Sequence, residues 1–147
     1  MAKLSEKEKQ NAVNEVRILA SIDHPNIIHF KGAFFDDLSS SLCIIMEFAS
    51  GGDLLGKVEK HTAKGTNFTE KELWSYLIQC LKALSLLHSI KICHWDLKCA
   101  NLFLTDDGII KLGDLNVSKV QKRGLMSTQT GTPYYASPEV WNEEPYD

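Results

Sequence analysis

The feature that most constrains the fold is an Asp-Gly turn between two short apolar runs. Residues 102–104 precede the turn Asp106-Asp107-Gly108, and residues 109–112 follow it. An Asp-Gly pair between apolar runs is typical of a β-hairpin, in which the two strands lie antiparallel. The hairpin brings its ends together, so Asn101 just before it and Asp114 just after it are expected to face one point. Carboxylate and amide oxygens can both bind metal ions, so two ligands that are distant in the sequence could share one ion there.

The composition is that of one ordinary globular domain. The chain has 147 residues, a formal net charge of −3 and a hydrophobic fraction of 44%. No apolar run approaches the roughly 20 residues of a membrane-spanning helix, and no polybasic run suggests nucleic acid. We therefore expect neither a membrane nor a nucleic-acid partner. The four cysteines lack the CxxC spacing of a zinc site and are interpreted as reduced, mostly buried thiols of an intracellular protein.

A second motif overlaps the first and identifies the family. Residues 94–101 read HWDLKCAN, with an Asp, a Lys two residues later and an Asn five residues after the Asp. This is the spacing of the protein-kinase catalytic loop, H-R-D-L-x-x-x-N, and residues 114–116 (DLN) stand where D-F-G is expected. Together with GTPYYASPE at residues 131–139, these motifs resemble serine/threonine protein kinases. The sequence segments DLNVSKV and TQTGTPYYASPEVW are most similar to those of the NIMA-related kinase family.

The resemblance implies an activity and a set of catalytic residues. The activity is transfer of the ATP γ-phosphoryl group to Ser or Thr hydroxyls of a protein, with Mg²⁺ as the metal. Asp96 is then the acceptor of the hydroxyl proton, and Lys98 is the phosphate contact. Asn101 and Asp114 are the implied Mg²⁺ ligands, and Thr132 is expected to brace the catalytic loop.

The resemblance also assigns residues to ATP. Glu15 falls at the position of the glutamate in helix αC that pairs with a strand lysine at the ATP phosphates. Met46 stands at the gatekeeper position, and the backbones of Glu47 and Ala49 are expected to hydrogen-bond adenine. Phe103 completes the predicted cofactor-binding set. For Glu15 an ordinary exposed helical glutamate, and for Met46 an ordinary core residue, remain open alternatives.

Regulation is expected in the polar stretch before Thr132. Ser127, Thr128 and Thr130 are candidate phosphorylation sites, and Thr128 is favoured because it lies four residues before Thr132. A phosphate orders a loop only where cations receive it. Trp95 occupies the position of the arginine that usually pairs with this phosphate, so the resemblance implies a weakened coupling.

The predicted fold class is α+β: the protein-kinase two-lobe fold, present in part from helix αC through the activation segment. Residues 1–48 are assigned to the small lobe and hinge, and residues 49–147 to the first part of the large lobe. A glycine-rich loop and a strand lysine are expected before residue 1, and further helices after residue 147. The alternative is a non-catalytic truncated kinase or pseudokinase fragment that acts as a binding module, which Trp95 favours. The family also suggests microtubule or ciliary partners and a cytoplasmic location at the cytoskeleton, centrosome or cilium.

Periodicity predicts the remaining elements. A capping box at Ser5 begins helix αC, and the Asp23-His24-Pro25 segment ends it. Residues 27–35 and 42–48 are expected to form a hairpin. A second capping box, Thr69-x-x-Glu72, begins a long helix. Its buried face is predicted to consist of Leu73, Leu77, Leu81, Leu84 and His88, widened by Trp74 and Ile78.

Overall fold

The computed structural model of the chain describes residue 13 and residues 16–36, 41–115, 119–120 and 132–145. Residue 13 and residues 16–20 are helical (α1). The elements that follow are β1 (Phe30–Asp36), β2 (Ser41–Met46), α2 (Leu54–Lys64), α3 (Glu70–Ser89), β3 (Ile92–Cys93), β4 (Leu102–Leu104), β5 (Ile110–Leu112), β6 (Lys119–Val120) and α4 (Pro138–Trp141). In the described part of the chain the strands form three antiparallel pairs, β1–β2, β3–β6 and β4–β5. The predicted α+β class is confirmed.

The hairpin predicted from residues 27–48 is present with shorter strands. β1 and β2 pair from Phe30 opposite Met46 to Asp36 opposite Ser41, with one irregularity between Phe30 and Gly32. Because β2 ends at Met46, the chain passes directly into Glu47-Phe48-Ala49, the residues predicted to form the hinge after the gatekeeper; residues 47–53, up to the start of α2, are called the hinge segment below. None of the described helices combines the length and the apolar character that crossing a bilayer requires.

The Asp-Gly hairpin is also confirmed, and its two faces differ. In β4–β5, Leu102 pairs with Leu112, Phe103 with Lys111, and Leu104 with Ile110. Residues directly opposite each other in an antiparallel pair share a face. The outer pairs are buried in the main hydrophobic core, whereas Phe103 and Lys111 are only partly buried and share the opposite face. Gly108 in the turn has a φ of 79°, a conformation that favours glycine.

The long helix α3 begins at the predicted capping box. Thr69 Oγ1 accepts a hydrogen bond from the Glu72 backbone N–H at 3.2 Å, and Glu72 Oε2 accepts one from the Thr69 N–H at 3.0 Å. The Thr69 backbone and hydroxyl, followed by Lys57, lower the pKa of Glu72 to about 2. The carboxylate therefore stays charged beside the helix N-terminus, where negative charge is favourable.

The predicted buried face of α3 is wrong for most of its residues: Leu84 is partly buried and packs against the core, whereas His88 is exposed. Tyr76, Ala83 and Leu87 are the buried residues, whereas the predicted Leu73, Leu77 and Leu81 are about half exposed, together with Trp74 and Ile78. The helix packs on β3 and β5. Ala83 is fully buried and belongs to the core cluster that also contains Ile92, Ile110 and Leu112. The helix is apolar on more than one side, and periodicity alone cannot choose between the sides.

The segment after α1 runs beside β5 and joins it to the first hairpin. The Ile28 N–H donates to Leu112 O at 2.9 Å, and the Leu112 N–H donates to Asn26 O at 2.8 Å. Asn26 is 5% exposed, and its Nδ2 donates to Ile110 O at 2.9 Å and to Gln79 Oε1 at 3.0 Å. A buried amide needs such partners, and these bonds fix the segment to the hairpin that precedes Asp114.

All four cysteines lie in described segments and are free thiols. This agrees with the predicted absence of disulfides. Each has intermediate exposure, so the expectation that they are mostly buried is wrong. Burial nevertheless raises the pKa of Cys80 above its ordinary value.

Candidate active site

The loop before β4 is tied to the segment after β5 by a buried histidine. His94 is 3% exposed; its Nε2 lies 2.8 Å from Gly113 O, and its Nδ1 accepts from the Asp96 N–H at 3.3 Å. Burial lowers the pKa of His94, against the opposing effect of the Gly113 carbonyl. A neutral ring with its proton on Nε2 satisfies both contacts. His94 thereby fixes Asp96 relative to the residue before Asp114.

Asp96 lies at the centre of a hydrogen-bond network. Its Oδ1 accepts from the Thr132 backbone N–H at 3.0 Å and from the Thr132 hydroxyl at 2.5 Å. Its Oδ2 accepts from Lys98 Nζ at 2.7 Å and from Asn101 Nδ2 at 3.1 Å. Lys98 Nζ also donates to Thr132 Oγ1 at 2.6 Å. The structure therefore brings together four of the five residues predicted to be catalytic.

This network keeps Asp96 ionised. Burial acts to raise the pKa of its carboxyl, but the hydrogen bonds from Lys98, Thr132 and Asn101 outweigh burial and lower the pKa to about 2. Hydrogen bonds donated to the charged form favour that form. At neutral pH Asp96 is therefore a carboxylate, which can accept a hydrogen bond from a hydroxyl group.

Two residues of the site have an unfavourable backbone conformation. Trp95 has a φ of 70° and Asp114 a φ of 56°, a region that residues other than glycine rarely adopt. Such conformations cost about 1–3 kcal/mol each and cluster at functional sites. One of them directly precedes Asp96, and the other is the predicted metal ligand itself.

A cavity of about 470 Å³ opens beside this network. Its volume is in the range of about 300–1,000 Å³ that is usual for small-molecule sites. All the described residues predicted to bind cofactor or metal line it. The full lining is Ile28, Met46, Glu47, Phe48, Ala49, Ser50, Gly52, Asp53, Asn101, Phe103, Gly113 and Asp114.

Of the two backbone groups of Glu47 that could hydrogen-bond adenine, only the carbonyl is available. The Glu47 N–H donates to His29 O at 2.9 Å, so its carbonyl is the group left for a ligand. Among the described residues, no backbone partner engages that carbonyl or the N–H and carbonyl of Ala49. The hinge therefore presents one donor and two acceptors that a planar base can reach.

Two glycines allow segments to approach closely at this site. A Cβ added at Gly113 would lie 2.6 Å from Phe103 Cε2, and one added at Gly51 would lie 2.7 Å from Leu104 O. The Gly51 N–H donates to the same Leu104 carbonyl at 2.8 Å. Gly113 therefore leaves space for the Phe103 ring at the cavity, and Gly51 lets the hinge pair with β4.

The predicted Mg²⁺ ligands line one cavity, and their chemistry fits the ion. Asn101 Nδ2 donates to Asp96 O at 2.7 Å as well as to the Asp96 carboxylate. This orientation leaves Asn101 Oδ1 without a hydrogen-bond partner among the described residues. Mg²⁺ is usually held by one or two carboxylates together with phosphates and water. The described residues contain no cluster of three His, Cys, Asp or Glu side chains that could hold a metal, so a site with more protein ligands is absent there.

Some predicted residues lie outside the described part of the chain. These are Glu15, Ser127, Thr128 and Thr130, and their roles remain predictions.

The sequence interpretation missed two residues at the site. Asp53 lines the cavity and caps α2, with its Oδ1 accepting from the Gly56 N–H at 2.8 Å. An Asp after Gly-Gly and before a helix is a recognisable N-cap signal. Lys111 forms an ion pair with Glu47 at 2.7 Å; a single lysine in an apolar strand gives no comparable signal.

Comparisons with known proteins identify the family of the chain. The protein kinase domain family matches residues 1–147. The serine/threonine-protein kinase Nek1 of Mus musculus is 38% identical over 149 residues, covering 100% of this chain and 12% of its own. The probable serine/threonine-protein kinases nek3 and nek2 of Dictyostelium discoideum are 43% and 44% identical, covering 96% and 92% of this chain and 13% and 34% of their own. The chain thus spans about a third or less of each of these relatives. It belongs to the protein kinase family, and it resembles the NIMA-related serine/threonine kinases.

Proposed function

We propose that the protein containing this chain is a serine/threonine protein kinase that transfers the ATP γ-phosphoryl group to Ser or Thr hydroxyls of proteins. One observation carries the proposal: the ionised Asp96, paired with Lys98, adjoins a cavity lined by the hinge, Asn101 and Asp114. Protein kinases generally use ATP and Mg²⁺. We assign residues 1–48 to the small lobe and hinge, and the rest to the large lobe.

In this mechanism Asp96 receives the substrate hydroxyl. A carboxylate offers about four acceptor positions, and Thr132, Lys98 and Asn101 donate to all four. The substrate hydroxyl must therefore displace one donor. Its oxygen then forms a bond to the γ-phosphorus, the bond from that phosphorus to the β–γ bridging oxygen breaks, and the hydroxyl proton passes to Asp96. Lys98 supplies positive charge beside the reacting oxygen.

The cavity residues take complementary roles in nucleotide binding. The Glu47 carbonyl and the Ala49 backbone hold the adenine edge, Met46 bounds the cavity as gatekeeper, and Phe103 contacts the base. Asn101 and Asp114 would hold Mg²⁺, which when bound offsets the negative charge of the phosphate oxygens. The proposal also includes Glu15, whose role would be to pair with a strand lysine at the ATP phosphates.

The test is phosphoryl transfer by the full-length protein from [γ-³²P]ATP to a Ser/Thr peptide library. Asp96→Asn keeps the size of the side chain but loses the charge, so kcat should fall at least about a hundredfold, as expected of a positioned general base. The Km for ATP should change far less. Asp106→Asn, at the exposed hairpin turn, is the matched control and should retain wild-type kcat.

Full turnover by Asp96→Asn refutes the assignment. Binding of Mg²⁺-ATP by the wild type with no transfer to any peptide favours the binding-module alternative.

We propose further, on the family resemblance alone, that the protein acts in the cytoplasm on protein substrates and associates with microtubule or ciliary structures. Imaging of the tagged full-length protein together with tubulin and centrosome markers tests the location. A diffuse signal without enrichment at either structure contradicts it.

A further inference from the structure

The side chain of the hinge residue Glu47 forms an ion pair with Lys111, which is distant from it in the sequence. The Glu47 side chain is 22% exposed, and the Lys111 side chain is 16% exposed. Glu47 Oε1 accepts from Lys111 Nζ at 2.7 Å and from the His29 backbone N–H at 2.9 Å. Burial acts to raise the pKa of Glu47, but these two donors outweigh it and lower the pKa below its ordinary value. The Glu47 carboxylate is therefore stabilised in its charged form beside Lys111.

The hairpin register explains how Lys111 reaches the hinge. Lys111 lies directly opposite Phe103 in β4–β5, so both side chains lie on one face of the hairpin. Phe103 lines the cavity on that face. Lys111 therefore extends beside Phe103 towards Glu47, while its neighbours Ile110 and Leu112 point into the core.

The ion pair connects two walls of the same cavity. Glu47 lines the cavity at the hinge, and the chain runs from Lys111 in β5 to Gly113 and Asp114, which also line the cavity. A second connection runs parallel to it: Glu47 pairs with His29 through the main chain, and the segment at residues 26–28 pairs with β5. The strand that leads to the predicted metal ligand Asp114 is thus held to the hinge by both main chain and side chain.

Stability alone is a weak explanation for such a pair. Removing two charges from water costs about as much as their attraction returns, and apolar replacement is often neutral or stabilising. In some proteins, buried ionic groups instead fix a particular geometry. Here the geometry that is fixed is the spacing between the hinge and Asp114.

We propose that Lys111, acting through Glu47, is a positioning residue that holds the hinge at a set distance from Asp114. It thereby strengthens binding of ligands that contact both walls. The inference rests on the proposed function, in which adenine binds the hinge and the metal–phosphate group binds Asp114. A ligand that contacts the hinge alone should be insensitive to the ion pair, because its own site is left intact.

The test is calorimetric titration of the full-length protein with Mg²⁺-ATP and, separately, with adenosine. Lys111→Met keeps the chain length and removes the charge. Lys111→Arg keeps the charge, and Glu47→Gln combined with Lys111→Met leaves no unpaired charge behind. Lys57→Met is the matched control, since Lys57 pairs with Glu72 at 3.2 Å between α2 and α3 and does not line the cavity. Thermal melting of each variant measures the purely structural effect.

We expect Lys111→Met to raise the Kd for Mg²⁺-ATP by about fivefold or more, the usual lower size of coupling between sites, with adenosine binding near the wild-type value. The double variant should raise the Kd for Mg²⁺-ATP by a similar factor. Lys111→Arg should restore Mg²⁺-ATP binding, and Lys57→Met should lower the melting temperature without changing the ratio of the two affinities. Equal weakening of both ligands, or no weakening of either, overturns the positioning role. Failure of the wild type to bind Mg²⁺-ATP refutes the proposed function instead.

Discussion

Replacement of Thr132 by valine tests the catalytic network most directly. The Thr132 hydroxyl donates to Asp96 Oδ1 at 2.5 Å and accepts from Lys98 Nζ at 2.6 Å. Valine has nearly the same shape and keeps the backbone N–H that bonds Asp96 at 3.0 Å. The substitution therefore removes one oxygen and leaves the rest of the contact in place.

The size of the effect follows from the groups involved. A hydrogen bond to a charged group contributes about 1.5–3 kcal/mol. Asp96 and Lys98 keep their mutual ion pair, so we count the loss as one such bond and not as two. If that energy holds the reactive geometry, kcat/Km for a peptide substrate should fall about 10- to 150-fold.

The assay is steady-state phosphorylation of a Ser/Thr peptide by the full-length protein, with both substrates varied. Thr132→Ser is the control, because it restores the hydroxyl and should recover most of the activity. The Km for ATP should stay near the wild-type value in both variants, since Thr132 does not line the cavity. Wild-type kcat/Km in Thr132→Val would refute the bracing role and leave the network as a contact without catalytic consequence.

Three further results are expected. Asp114→Ala should weaken binding of Mg²⁺-ATP and leave adenosine binding unchanged in calorimetry; equal loss of both would contradict a role in metal binding. The pKa of Asp96 is lowered from 3.8 to about 2, so its stabilisation is complete above about pH 4 and is lost as the pH falls towards 2. Urea unfolding should therefore show a smaller stability gap between wild type and Asp96→Asn at pH 3 than at pH 6; an equal gap argues against the shift. Thr69→Ala should cost about 1 kcal/mol of stability through loss of the cap on α3, and Thr69→Ser should not; an unchanged melting temperature for the alanine variant would contradict this.

The parts of the fold predicted correctly from the sequence depend on local chemistry. The turn at residues 106–108 needs an Asp-Gly pair, and the start of α3 needs Thr69 and Glu72 at a fixed spacing. Such signals lie within a few residues of the structure that they specify. The clustering of Asp96, Lys98 and Asn101 also follows from short spacing, since all three lie on one loop.

The parts that sequence reasoning missed depend on contacts between distant segments. The buried side of α3 is chosen by its contact with β3 and β5, and the leucine period of the helix carries no information about that choice. Lys111 acquires its role from the hairpin register and from a glutamate 64 positions earlier in the chain. The loss of one hinge donor likewise comes from the His29 carbonyl, which pairs with the Glu47 N–H at the end of the β1–β2 hairpin.

Trp95 bears on the choice between an enzyme and a binding module. The arginine that it replaces is expected to receive a phosphate, not to hold Asp96. In the described part of the chain Asp96 is held by Lys98, Asn101 and Thr132 through its carboxylate, and by His94 through its backbone N–H. None of these contacts requires a charge at residue 95, and the strained φ of 70° there is accommodated beside a complete network. On the family resemblance Trp95 would affect regulation by phosphate, and the contacts that hold Asp96 for the proposed chemistry do not involve its side chain, which favours the enzyme over the binding module.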